Sequence, residues 1–152
     1  MVMMHVHSAL SGIKYNSPKE FEADIAKLDN GADLLALAPN LGTNFPTILT
    51  ALGHTVEHIS DTLTTTDMQN IYNSLADGAY IIAAMSATNK IDGKHLVALY
   101  GVNDIGEVLF LDSDNGAHLL EVYDDLKLLT SHMPLQNFTG PSSDFWIVKK
   151  TT

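Results

Sequence analysis

Apolar and polar positions alternate at two different periods along the chain. Val2 to Leu10 is apolar with His5 and His7 interspersed and ends near Ser11-Gly12. Its length and glycine stop predict a helix, although the alternation also fits a strand. Asn16-Ser17-Pro18-Lys19-Glu20 spells a helix start, with Ser17 as N-cap, Pro18 in the first turn and Glu20 completing a capping box. Phe21, Ile25 and Leu28 mark one face of that helix, which Asn30-Gly31 ends, and a short segment, Ala32 to Ala38, runs up to Pro39. Asn44 to Leu52 carries Ile48, Leu49 and Leu52 at helical spacing before Gly53. The period then switches to that of strands. His54 to Ile59 alternates, Thr66-Asp67 opens a further helix over Met68 to Leu75, and Tyr80 to Ser86 is an apolar strand.

The most strongly patterned stretch is Gly93 to Gly116. His95 to Val102 and Glu107 to Leu111 read as two buried strands joined by the Asx and glycine chemistry of Asn103-Asp104-Ile105-Gly106. His95 opens the first strand and Asp112 closes the second. An antiparallel hairpin sets the start of one strand beside the end of its neighbour, which would let Asp112 orient the His95 imidazole. A helix from about Ala117 to Leu129, a loop over Phe138 to Pro141 and a last strand, Phe145 to Val148, complete the pattern. With no repeat, linker or low-complexity tract, residues 1–152 are expected to form one α+β domain, helices first and an antiparallel sheet after them.

Composition narrows the chemistry. Eighteen acidic residues face eight basic ones, for a net charge of −10, and all the basic ones are lysines. A chain without the arginine fork or a basic stripe is not expected to bind nucleic acid or an anionic membrane. No apolar run reaches membrane-spanning length, and the start lacks the basic flank of a signal peptide. Localisation is therefore left open between the cytoplasm and export by a non-Sec route. There is no cysteine, so disulfides, zinc–thiolate sites and thiol nucleophiles have no residue here to form them.

The remaining polar motifs are weaker. His54-Thr55-Val56-Glu57-His58 spells an inverted zinc signature, but that site needs a helix and this segment reads as a strand. Asp112-Ser113-Asp114-Asn115-Gly116 resembles the front of a calcium loop, yet Tyr123 stands where the twelfth-position glutamate belongs. His5 and His7 would point apart on a helix and make a poor ligand pair, and Asn137-Phe138-Thr139 spells a glycosylation acceptor that matters only on export. No metal and no cofactor is expected.

In combination these motifs resemble the papain-like cysteine peptidase superfamily, in its C39-like branch, which includes relatives among bacterial effectors. The residues that carry the resemblance are Ser17-Pro18-Lys19-Glu20, Gly42-Thr43, Leu52-Gly53-His54-Thr55-Val56, Leu75 to Ile82, and then His95, Gly101 and Asp112, over roughly residues 5 to 115. The resemblance implies a papain-like fold with N-terminal helices packed on an antiparallel sheet. It also implies His95 as general base and Asp112 as its orienting carboxylate. The nucleophile of that pattern would fall at or just before Met1, where no cysteine stands; Ser8 and Ser11 are the nearest hydroxyls but lie inside the first helix. The expectation is thus a peptidase-type scaffold that keeps a His/Asp pair without its nucleophile, a pseudoenzyme or a form lacking its first segment, binding a peptide or a protein in its groove. The alternative is a small acidic binding protein, of the immunity or inhibitor kind, that meets a basic partner through surface charge.

Overall fold

The computed structural model describes residues 2–36, 41–60, 64–86, 94–113, 128–133, 135 and 144–151. Within them, only the backbone is described at residues 41–43, 60, 84–86, 94–95, 112–113 and 128–133. The elements run α1 (Val2–Ser11), α2 (Pro18–Ala26), α3 (Gly31–Leu35), α4 (Leu41–Ala51), β1 (His54–Ser60), α5 (Thr65–Ala76), β2 (Tyr80–Ser86), β3 (Lys94–Val102), β4 (Val108–Ser113), β5 (Leu128–Met133) and β6 (Asp144–Lys150). The result is a mixed fold of helices and an antiparallel sheet, as the pattern predicts, with β1 and α5 interleaved rather than all helices coming first.

The sheet has six strands in the order β1-β6-β2-β3-β4-β5. Every described pairing is antiparallel. The insertion of β6 between β1 and β2 joins the early strand to the rest, through pairs such as Val56↔Val148 and Ile82↔Trp146. Alternate residues of each strand then feed two cores, one on each face. One core gathers Ile82, Ala98 and Val148 under Met3, Met4 and Val6 of α1 and Phe45, Ile48 and Leu49 of α4, with Phe21, Ile25 and Leu34 of α2 and α3. The other gathers Ile81, Ala83, Val97, Leu99, Val108, Phe110, Phe145 and Ile147 under Ile71 and Leu75 of α5, together with Leu135.

Local chemistry explains most element boundaries. α1 is a helix because Met3, Met4, Val6 and His7 all face inward, a spacing no strand can present to one side. α5 begins two residues before the expected Met68–Leu75 helix would need Thr66 as its cap. Thr64 is the N-cap, and its hydroxyl and the Asp67 carboxylate form a reciprocal capping box. The capping box expected at Ser17 is not made. Ser17 is the N-cap but its side chain bonds nothing there, and the Glu20 carboxylate accepts instead from the Asn16 backbone N–H at 2.7 Å. α4 starts at Leu41 rather than Asn44, which leaves Pro46 inside the helix instead of in its first turn. A proline in the sequence marks where a helix can begin cheaply, and here the chain accepts one missing N–H in the second turn.

Four expectations fail or lie outside the described residues. The helix over Ala117 to Leu129 lies mostly outside the described residues, and its last two positions, Leu128 and Leu129, belong to β5, where Leu129 pairs with Asp112. The loop Phe138 to Pro141, the glycosylation triplet and the rest of the calcium-like loop from Asp114 onward also lie outside them.

Candidate functional site

The hairpin forms as its turn chemistry dictates. The Asn103 carboxamide Oδ1 accepts from the backbone N–H of Ile105 and of Glu107, at 3.2 and 2.9 Å, and Gly106 adopts φ +83°, a conformation that favours glycine. A register shift between Leu99 and Gly101 bends β3 against β4. The described β3–β4 pairs run from Ala98↔Leu111 to Val102↔Val108, so His95 and Asp112 both stand past the same end of this paired stretch. Their backbones belong to β3 and β4, and their side chains lie outside the described part of the structure. Asp112 does not close its strand, since β4 continues to Ser113.

The position of α1 relative to this sheet end follows from its contacts. α1 lies against β2, β3, β4 and β6, while its sixth residue, His7, reaches His54, the first residue of edge strand β1. The helix therefore lies across several strands, with His7 near its middle reaching the β1 edge. A helix of this length spans ~15 Å, about three strand spacings.

Two imidazole clusters escape a reading of the sequence. In the first, His7 Nδ1 and His54 Nε2 share one proton in a hydrogen bond of 2.7 Å, with the two residues only 5% and 4% exposed. The His7 ring also lies among Tyr15 and Phe21, at centroid distances of 6.0 and 5.7 Å. The Tyr15 hydroxyl donates to Asp24 Oδ2 at 2.6 Å. Burial pushes the His7 pKa down to about 4, assisted by His54 and opposed by the Asp24 carboxylate. Desolvation wins that contest because water is removed from the whole ring while the acid is already occupied by Tyr15. Burial also lowers His54, as does Lys150 beside it. Asp24 in turn is held below the usual carboxylate range by the tyrosine bond, and burial together with Asp24 raises the Tyr15 phenol.

In the second cluster the His58 ring stacks flat on Trp146, with centroids 4.7 Å apart and planes 5° from parallel, and His58 Nε2–H donates to Asp144 Oδ1 at 2.9 Å. Trp146 meets Phe45 of α4 edge-on. The His58 side chain remains 48% exposed. Register explains both clusters: strand pairing puts His58 opposite Trp146, and His54 opposite Lys150 at the other end of the same ladder. The only signal in the sequence is the His-x-x-x-His spacing of β1, which places both rings on one face of a strand. The zinc reading of that spacing is not supported: the segment is a strand, and no group of three metal-ligating side chains occurs among the described residues.

No helix among the described residues is long and apolar enough to cross a membrane. A comparison with protein-family models, with curated proteins and with solved structures finds no match to this chain.

Proposed function

We propose that the chain is a papain-like scaffold of the C39-like kind that binds an extended peptide or protein segment along the end of the sheet where β3 begins and β4 ends. In this reading His95 is the base and Asp112 the carboxylate that fixes its ring. Thiolate chemistry would require a cysteine at the start of α1, which these 152 residues do not contain. The observation that supports the reading is that His95 and Asp112 stand past the same end of the β3–β4 pair, on two strands of an antiparallel sheet that an N-terminal helix also touches. A thiol at the head of such a helix gains from its dipole, and gains again from a neighbouring imidazolium.

The test restores the thiol. Cysteine replaces Met1 behind an added initiating residue, and its alkylation by iodoacetamide is followed against pH. The expected result is a thiol titrating below the ordinary value of about 8.5, returning toward it when His95→Gln is added. Identical titrations with and without His95 overturn the proposal, because the helix dipole alone would act equally in both.

A further inference from the structure

We propose that the His7–His54 bond is an acid-released latch that holds α1 down on the sheet. The proposal rests on the position of the pair and stands apart from the papain-like reading. His7 lies near the middle of α1 and His54 is the first residue of β1, so this one bond ties the first helix to the sheet edge.

The bond exists only while the two rings share a single proton. A second proton can enter at His54 Nδ1, which is buried and has no hydrogen-bond partner among the described residues. Protonation there makes an imidazolium whose new N–H finds no acceptor, next to Lys150 on β6. Protonation of both rings sets two buried donors against each other across 2.7 Å. His5, two residues back and on another side of the same helix, carries a buried Nε2 that is likewise without a partner among the described residues, and burial lowers its pKa to about 4.

The surroundings give little compensation. From α2 comes Asp24, which is engaged by Tyr15 from the loop after α1. From β6 comes Lys150, of the wrong sign, and from β2 the phenol of Tyr80. α4 carries no ionisable side chain, and β3 and β4 turn the apolar Leu96, Ala98 and Leu111 to this face. The folded pKa of about 4 for His7 lies under its unfolded value of 6.5. The seal of α1 is therefore complete above pH 6.5 and drains away as pH falls toward 4.

The experiment is amide hydrogen exchange of the intact chain at pH 7 and pH 5, corrected for intrinsic rates, together with NMR titration of the imidazole ring carbons. The expected result is a rise of tenfold or more in the opening of α1 at pH 5 while β2 and β3 keep their protection. His54→Gln, which hydrogen-bonds but does not titrate, should shrink that rise. Ring titrations of His7 and His54 at the ordinary histidine value overturn the latch without recourse to any variant. So does loss of protection spread evenly over α1 and the central strands.

Discussion

The face of the sheet covered by α5 and the face covered by α1 and α4 bury comparable sets of large apolar side chains but differ in what else they hold. Under α5, Ile71, Leu75, Ile81, Val97, Leu99, Phe110 and Phe145 meet one another, and the buried polar side chain on that helix is the small hydroxyl of Ser74. Under α1 and α4, Met4, Phe21, Phe45 and Ile82 share the space with two hydrogen-bonded histidines and a tyrosine–aspartate pair. A face of apolar side chains such as these keeps its stability at any pH, because they take up no proton. A face that buries neutral imidazoles is stable only while those rings stay neutral. One sheet thus presents an acid-indifferent side and an acid-responsive side.

The largest expected effect probes the indifferent side. Phe145→Ala empties a fully buried ring position beneath α5 and should cost ~3–5 kcal/mol in denaturant unfolding, by the same amount at pH 7 and pH 5. A loss that grows in acid would break the comparison. Next is Gly31→Ala, at the joint of α2 and α3. A Cβ there would lie 2.6 Å from the carbonyl oxygens of Ile25 and Ala26, backbone atoms that cannot swing away. The two helices must part, at about 1–3 kcal/mol, read as a lowered midpoint with an unchanged slope. Thr64→Ala removes one half of the α5 capping box and should cost about 1 kcal/mol, again without pH dependence.

The smallest effect at neutral pH sharpens the contrast most. Replacing both rings at once, His7→Phe with His54→Leu, exchanges a polar pair for apolar bulk and should change stability at pH 7 by only about 1 kcal/mol. The same double variant should lose the fall in stability between pH 6.5 and 4 that His7, with its pKa of about 4, gives the parent. A parent and double variant with the same acid profile would show that the two faces do not differ in the way described.

Those two faces were unequally legible in the sequence. Strands β2 to β4 and the hairpin between the last two follow from runs such as Tyr80–Ser86 and from Asn103 and Gly106, because turn chemistry and strand periodicity act over a few residues. Even the bend of β3 has a local marker in Gly101. The backbone placement of His95 and Asp112 at one end of a hairpin is of the same local kind. The two imidazole clusters are not. His7 meets His54, and His58 meets Asp144, only once β6 has entered the sheet and α1 has crossed it, and no spacing within a short window encodes either meeting. The same distance in sequence hides β5, where Leu128 and Leu129 read as the end of a helix until β4 supplies them a partner.

The place of β6 in the sheet also sets the order in which the molecule can be assembled. The ribosome releases β1 long before β6, yet β1 has no sheet to join until β6 lies between it and β2. The Thr151 N–H then closes the seam onto the carbonyl of Gly53 at 3.1 Å. Until that late ribbon emerges, the nascent chain holds one edge in waiting, and such distant pairing is slow to form. Completion of the sheet thus waits until Asp144–Lys150 has been made, and a stalled polypeptide that stops short of Asp144 would leave β1 as an orphan, open to capture by a chaperone.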